Sequence, residues 1–409
     1  FEEDETAPGN KWELIAGDFV LQRPNSHFLT YLKKTKGLSY DTRMRLGDHG
    51  RMNTGFSAAI SKGKFARNII QGVEGVQGPY RLRGNDAGSV IIILSGSERV
   101  FIDGQQLTRG QENEYVIDYN TAELTFTARQ LITKDRRIVV EFQYSDKNYA
   151  RSWARLDNTY EVGRNTIRLH VYSAQDHRNQ TLQQQLGDAE REVLREAGDD
   201  PLAATISGVD STGFATDQVL YWRRDSLGYD PVFVYNTNAD SAVYRVTFTE
   251  VGQGKGSYVQ QEFTPNGRVF RWVAPDTVNG VVVERGTHAP VRLLVAPRAQ
   301  QLITLGFDHR ISKRSSATVE AALSNLDGNT FSSKDASDDV GLGLMTRLTH
   351  AIPISEKDST MQLVIAGDAE VIGRDFHYVE RYRAVEFERN WNLLGTVLKA
   401  DQLLAGVHT

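Results

Sequence analysis

The sequence predicts a mainly β fold: an antiparallel β-barrel segment of the membrane-spanning type, closed or incomplete, with small β-sandwich domains inserted between its strands and one short helix. Three observations predict it. Segments near the N-terminus, in the middle and after Leu302 alternate apolar with polar or small residues over transmembrane β-length, about 9–11 residues. Two blocks of shorter strands, punctuated by Gly, Pro, Asn and Asp, interrupt them. No apolar run reaches the roughly 18 residues a membrane-crossing helix needs, so such helices are excluded while β-spans are not.

Residues 1–63 read as barrel-type strands and loops. Phe1–Thr6 is an acidic loop remnant, and Trp12–Leu21 is a strand with imperfect alternation. Lys33–Asn53 is polar and Gly-punctuated and reads as a turn or loop. In Gly55–Ser61, Phe56, Ala58 and Ile60 face one way and Ser57, Ala59 and Ser61 the other.

Residues 64–149 read as an inserted β-sandwich. Gly72, Gly75, Gly78, Pro79 and Gly84 mark turns, and Ser89–Leu94 suits a buried strand. Arg99–Ile102 enters an Asp103-Gly104 turn, a hairpin signal. Tyr115–Tyr119 and Glu123–Thr127 flank Asn120, and Arg137–Tyr144 completes the set.

Residues 150–178 return to barrel-type strands. Ile167, Leu169 and Val171 oppose Arg168, His170 and Tyr172, the pattern of a wall with a wet interior and equally of any half-solvated sheet. Residues 179–215 hold a helix over Gln180–Ala197 and a linker. Leu182, Leu186 and Val193 form its packing stripe, and Gly198-Asp-Asp-Pro201 stops it. Residues 216–300 form a second β-rich domain, with strands at Val232–Tyr235, Val243–Phe248, Arg268–Val273 and Val291–Val295. Residues 301–409 are barrel-type antiparallel strands. Ile303, Leu305 and Phe307 alternate with Thr304, Gly306 and Asp308; Ala317, Val319, Ala321 and Leu323 with Thr318, Glu320, Ala322 and Ser324. Val340, Leu342 and Leu344 alternate with Gly341, Gly343 and Met345; Met361, Leu363 and Ile365 with Gln362, Val364 and Ala366. The opening Phe1-Glu-Glu-Asp, without Met, and the stop at Ala405–Thr409 inside an alternating pattern suggest a mature or excised piece of a longer chain.

Composition narrows the chemistry. With no Cys among 409 residues, disulfides, Cys-ligated zinc, iron–sulfur clusters and thiol nucleophiles are excluded. A net charge of −5 without a Lys/Arg run argues against a nucleic-acid partner.

Gly252-Gln-Gly-Lys-Gly-Ser257 departs from the phosphate-loop motif, since Lys255 precedes Gly256 and no helix follows; a turn or bulge is the simpler reading. Asp327, Asn329, Asp335, Asp338 and Asp339 lack EF-hand spacing and read as a solvated turn. The nine His form no His-Glu-x-x-His pair, His170 needs only a hydrogen-bond partner, and no Gly-x-Ser-x-Gly elbow is present. Glu320, Asp368 and Glu370 sit on polar strand faces and carry no specific catalytic signal. No catalytic, cofactor-binding or metal residue is therefore assigned, and no cofactor is expected. Trp153, Tyr172, Phe307, Phe376, Tyr378, Tyr382 and Trp391 fall in or near strands and their ends; they read as an interfacial girdle or as ordinary core.

Several stretches together carry a resemblance: Lys62–Arg67, Glu74–Leu82, Glu98–Gly104 with Leu107 and Arg109-Gly110, Tyr115–Asn120, Arg137–Tyr144, Val251–Tyr258, Asn266–Pro275, Ser324–Ser332 and Arg381–Asn392. Through most of its length the chain resembles a family of large outer-membrane β-barrel proteins of the Bacteroidota. Val100–Phe126 is also similar to an inserted β-domain of the type 9 secretion translocon. The resemblance implies an outer-membrane location in a Gram-negative bacterium, with periplasmic or surface-exposed domains, and tips the aromatics toward the girdle reading. It implies no catalytic residues. The expected role is non-enzymatic transport, secretion or envelope assembly, with outer-membrane lipid and envelope or secretion-system proteins as partners. The alternatives are a soluble surface or periplasmic β-sandwich protein binding glycan or protein, and an envelope enzyme acting on polysaccharide.

Overall fold

The computed structural model describes the chain except residues 1, 4–9, 22–23, 48, 62, 86–90, 146–147, 183–185, 265–266, 279, 355–361 and 394–398. It divides into two compact units, residues 1–84, 91–183 and 297–409 in the first and 85–90 and 184–296 in the second.

An antiparallel sheet of eleven strands dominates the first unit. In chain order these are β1 (Glu2–Glu3), β2 (Lys11–Leu21), β3 (Lys33–Leu46), β4 (Gly50–Ser61), β5 (Tyr149–Val162), β6 (Asn165–Thr181), β7 (Ala299–His309), β8 (Ser315–Asp327), β9 (Val340–Pro353), β10 (Gln362–Ile372) and β11 (Gln402–His408). Spatial order equals chain order, so every strand pairs with its sequence neighbour. Both long insertions leave and return between adjacent strands, after β4 and after β6, without disturbing that order. Among the described residues β11 does not pair with β1 or β2, and the sheet is open.

The alternation read from the sequence is the sheet's two faces. Leu305, Val319, Leu323, Leu342, Leu344 and Leu348 are exposed on one face. Register aligns that face across strands, with Leu169, Leu305, Ala321 and Leu344 in one row. Arg168, His170, Thr304, Glu320 and Ser324 are buried on the other face. Apolar side chains left exposed at alternate positions of β7, β8 and β9 invert the usual burial order of a soluble sheet.

Three local expectations are corrected. Lys33–Asn53 is not a loop: β3 runs for 14 residues and is hydrogen-bonded on both sides. Its alternation is hidden because Lys34 and Lys36 point outward while Lys33, Thr35 and Ser39 are buried, so hydrophobicity does not mark the faces. The helix is shorter than Gln180–Ala197. β6 continues to Thr181 and the helix spans Asp188–Ala197, burying Leu194. Thr181 still pairs with Tyr149, and this sheet pairing overrides the weak helical stripe. Within the acidic start, Glu2–Glu3 pairs with Lys11–Trp12. Met361 lies outside the described residues.

Between β4 and β5 stand two small sheets. One joins Lys64–Gln71, Arg137–Ser145, Arg99–Ile102 and Gln105–Gln106, with Ile92–Ile93 on Arg137–Ser145; the other joins Tyr115–Asp118, Glu123–Phe126 and Tyr80–Arg81. Val100, Ile102, Leu124, Phe126, Ile138, Val140, Phe142 and Tyr144 fill the core between them. Asp103 and Gly104 both take positive φ, as the Asp-Gly hairpin signal requires. Residues 89–90 of the predicted Ser89–Leu94 strand lie outside the described residues. Arg137–Ser145 is covered on both faces: Ile138, Val140 and Phe142 enter the core, whereas Arg137, Glu141 and Gln143 are buried on the opposite side.

The second unit holds two four-stranded sheets. Val209–Ser211, Tyr244–Val246, Tyr221–Ser226 and Tyr229–Tyr235 form one; Thr249–Glu250, His288–Ala289, Tyr258–Thr264 and Gly267–Trp272 form the other. Tyr221, Phe233, Tyr258 and Phe270 are its core. The two sheets exchange tyrosines: the Phe233 N–H donates to the Tyr258 hydroxyl at 2.8 Å, and the Phe270 N–H to the Tyr221 hydroxyl at 3.0 Å. Each phenol thus supplies an acceptor to a strand that lacks one, and apolar rings fill the space between.

Candidate functional site

The polar face of the eleven-stranded sheet carries a connected set of charges. Arg155 donates to Ser57 at 3.0 Å, to Asp41 at 3.1 Å and to Asp157 at 2.7 Å. Asp157 also lies 2.8 Å from His170 Nδ1, and Arg168 pairs with Asp308. These side chains alternate with the exposed apolar ones, so the strand period alone brings them to one face.

Two segments lie over this face. The first, residues 24–32, joins β2 to β3. Its Ser26 hydroxyl donates to Glu320 Oε1 at 2.6 Å, and the His27 and Phe28 N–H groups donate to the same oxygen at 2.9 and 3.1 Å. A buried carboxylate collecting three donors is strongly solvated by the protein itself. Phe28 and Leu29 are fully buried beside it. Gly343 of β9 makes room for this packing, and Gly341 for the backbone of Asp375 and Phe376. A Cβ on Gly343 would stand 3.1 Å from the Phe28 ring, and one on Gly341 would stand 2.2 Å from the Asp375 carbonyl oxygen.

The second segment, residues 373–392, joins β10 to β11. Glu370 at the end of β10 receives Arg383 Nε at 3.1 Å, the Tyr382 hydroxyl at 3.2 Å and His27 Nε2 at 2.5 Å, tying the two segments to one carboxylate. Phe376 and Tyr382 pack on Phe28 with ring centroids 5.4 and 5.6 Å apart. A cavity of about 370 Å³ opens here, lined by Phe376, Tyr378, Tyr382, Arg383, Phe387 and Gln402 among others. Arg383 lies over the Phe387 ring at 4.3 Å.

The outer surface of the second segment meets the Arg137–Ser145 sheet through ion pairs. Arg67 forks onto Glu388 at 2.6 and 3.0 Å, Arg137 reaches Glu386 at 3.1 Å, and Arg381 pairs with Glu141. Glu380 accepts the Leu32 N–H at 3.3 Å and lies 3.8 Å from Lys33 and 3.6 Å from Arg99. Burial pushes the Glu380 carboxyl up, against the pull of Lys33 and Arg99. Burial also opposes ionisation of Glu388, but the Arg67 hydrogen bonds and charge prevail and hold it below its ordinary value. Burial, helped by the Glu370 charge, lifts the Tyr382 phenol well above its usual range.

The two connecting segments, together called the plug, cover the polar face of the sheet; the sheet carboxylates Glu320 and Glu370 hold them, and the sandwich lies over them. Glu141, Glu320 and Glu370 are each compensated by protein cations or N–H donors, which leaves little negative charge to attract a metal ion.

Of the residues weighed from the sequence, Glu320 and Glu370 are brought to the plug; Asp368 instead lies 2.7 Å from His408. The sequence shows Glu320 and Glu370 only as polar-face residues and carries no sign of their role as anchors. The dense mix of Arg, Glu and aromatics in Arg381–Asn392 was the available signal, since such a mix suits a buried ion-pair network.

The girdle reading is corrected for most of its residues. Trp153 and Tyr172 are buried on the polar side, and Phe376 and Tyr382 pack in the plug. Tyr378 and Trp391, though exposed, lie on the second plug segment, and Phe307 alone of the set lies on the exposed face of a wall strand. Girdle and core aromatics share the same strand-end positions, and only packing separates them. Gly252–Ser257 is a turn: Gly252 and Gly254 take positive φ, Gly254 donates to the Gly286 carbonyl at 2.9 Å, and a strand follows. Asp335 lies in a turn with positive φ, and Asp338 lies 3.7 Å from Lys399.

A family model described as a domain of unknown function (DUF8818) matches residues 65–146, the sandwich segment. No curated protein matches the chain. Among solved structures, the outer membrane channel DcaP of Acinetobacter baumannii is similar at 7% identity over 91% of this chain and 92% of that one, with a TM-score of 0.15. OmpT, an outer membrane protein of Vibrio cholerae, is similar at 6% identity over 89% and 86%, also with a TM-score of 0.15. At such scores neither likeness supports an argument about fold or role, and none of these matches bears on the Bacteroidota or type 9 resemblance.

Proposed function

We propose that the chain forms wall, plug and covering domain of an outer-membrane β-barrel protein with a non-enzymatic role in transport, secretion or envelope assembly. The observation that carries this reading is the inverted sheet. Its apolar side chains stand exposed along strands of 11–17 residues from β2 to β10, while charged ones are buried beneath the plug. Lipid is the solvent that favours this order, because it accepts apolar side chains and cannot satisfy backbone or charge. The polar-face charges are tied to one another and to the plug, an arrangement suited to occluding a lumen.

Membrane flotation and detergent extraction test the reading. The expected result is recovery with outer membranes and release only by detergent. Recovery in the soluble fraction without detergent would overturn it in favour of a soluble β-sandwich protein that binds glycan or protein.

A further inference from the structure

The cavity of about 370 Å³ at the second plug segment is lined by aromatic rings and by charges that compensate one another. Phe376, Tyr378, Tyr382 and Phe387 supply the rings. Tyr378 stands 42% exposed, T-shaped against Tyr382 with ring centroids 6.0 Å apart. Each Arg, Lys, Asp and Glu of the lining has a partner of opposite sign. Arg383 pairs with Glu370 at 2.5 Å, Arg381 with Glu141, and Glu388 with Arg67 at 2.6 Å. Arg374 lies 3.4 Å from Asp375, and Lys399 lies 3.7 Å from Asp338. Two polar groups are uncommitted. Neither the Tyr378 hydroxyl nor the Gln402 amide nitrogen has a hydrogen-bond partner among the described residues; Gln402 uses its amide oxygen, which accepts from Arg383 at 2.7 Å.

This lining sorts ligands by charge and by hydrogen bonding. A compensated wall offers an anion or a cation no unpaired countercharge, so an ion entering it would lose hydration without a compensating partner. A purely apolar molecule would strip water from the Tyr378 hydroxyl, the Gln402 amide and the ion pairs without replacing those hydrogen bonds. A sugar meets both demands. Each of its hydroxyls donates and accepts, so it can serve an amide N–H, a phenol or the remaining lone pairs of a carboxylate. Its C–H surface is apolar and packs against aromatic rings. Aromatic walls with a few fixed polar groups are the usual composition of a small-molecule site, and the volume lies at the small end of the range for such sites, about 300–1,000 Å³.

We propose that this cavity binds a neutral mono- or disaccharide. The proposal goes beyond the wall reading, because the lining is the same whatever medium covers the apolar face. Saturation-transfer NMR tests it on the full chain in dodecyldimethylamine oxide, a detergent without a sugar headgroup. The probes are maltose, cellobiose, lactose and N-acetylglucosamine, with N-acetylneuraminic acid and glucosamine as charged comparisons. The expected result is saturation transfer to at least one neutral probe and weaker transfer to both charged ones. Tyr378→Ala and Gln402→Leu should each weaken binding of that probe about tenfold, the effect of one lost contact. Tyr378 is exposed, so its variant should keep the unfolding midpoint of the native chain; if Gln402→Leu lowers the midpoint, Tyr378→Ala alone decides. Transfer to no neutral probe, tighter binding of a charged probe, or unchanged affinity in Tyr378→Ala overturns the proposal. Neutral-sugar binding by a chain recovered without detergent would sink the wall reading and leave the cavity assignment standing. Detergent-dependent recovery with no sugar binding sinks the cavity assignment alone.

Discussion

The Ser26 hydroxyl donates to the Glu320 carboxylate at 2.6 Å across 294 residues of chain. This bond fastens the first plug segment to the middle of the wall, and the neighbouring His27 and Phe28 N–H groups share the acceptor.

Removing that acceptor should free the segment. Glu320→Ala removes the acceptor shared by the Ser26 hydroxyl and the His27 and Phe28 N–H groups, and leaves Arg168 without its more distant carboxylate at 3.9 Å. The expected cost is about 3–5 kcal/mol, the range for breaking a buried charged interaction from one side. Guanidinium unfolding in detergent measures it, and planar-bilayer conductance should rise above that of the native chain. Unchanged stability and conductance would show that the plug is held elsewhere.

The sandwich side of the plug should respond to acid. Glu388 is held below its ordinary value of 4.5 by Arg67, despite the opposing effect of burial. A depressed carboxylate stabilises the folded state fully above the unfolded pKa, and that contribution disappears as pH falls through the folded value. Protease cleavage within residues 385–393 should therefore increase below about pH 4.5. Glu388→Gln should cleave readily at neutral pH and lose this component of the pH dependence.

The outward face can be probed with one charge. Leu305 sits mid-strand on β7, exposed, in a row with Leu169 and Ala321. Leu305→Arg should destabilise the membrane-inserted protein by about 2–4 kcal/mol, the cost of a cation at the bilayer midplane. In a soluble sheet the same exposed substitution would stay within about 0.5 kcal/mol. Unfolding in lipid vesicles separates the two.

The tyrosine exchange in the second unit should fail in alkali. Burial pushes the Tyr221 phenol up to about 12 from 10.0, so folding favours the neutral form. Its contribution is complete below the unfolded value and is lost as pH rises through the folded one. Tyrosinate absorbance should show a late-titrating phenol near pH 12 that Tyr221→Phe removes. Tyr258→Phe leaves the Phe233 N–H unpaired and should cost about 1–3 kcal/mol.

How much of this the sequence disclosed follows the range of the forces involved. Alternation at Ile303–Asp308 and Ala317–Ser324 is local, because the strand period sends successive side chains to opposite faces, so these strands and their apolar and polar faces are legible. The Asp103-Gly104 turn was legible for the same reason. β3 was not: its lysines mask the period, and pairing with β2 and β4 defines it. Nor could the sequence pick Glu320 and Glu370 from the other polar-face carboxylates. Their role arises when Ser26, His27 and Arg383 arrive from two connecting segments, and a buried charge is determined by partners distant in the chain. The sequence by itself determined a β wall with one apolar and one polar face; only the tertiary structure decided that the polar face is plugged, because burying those carboxylates requires donors that only the fold brings together.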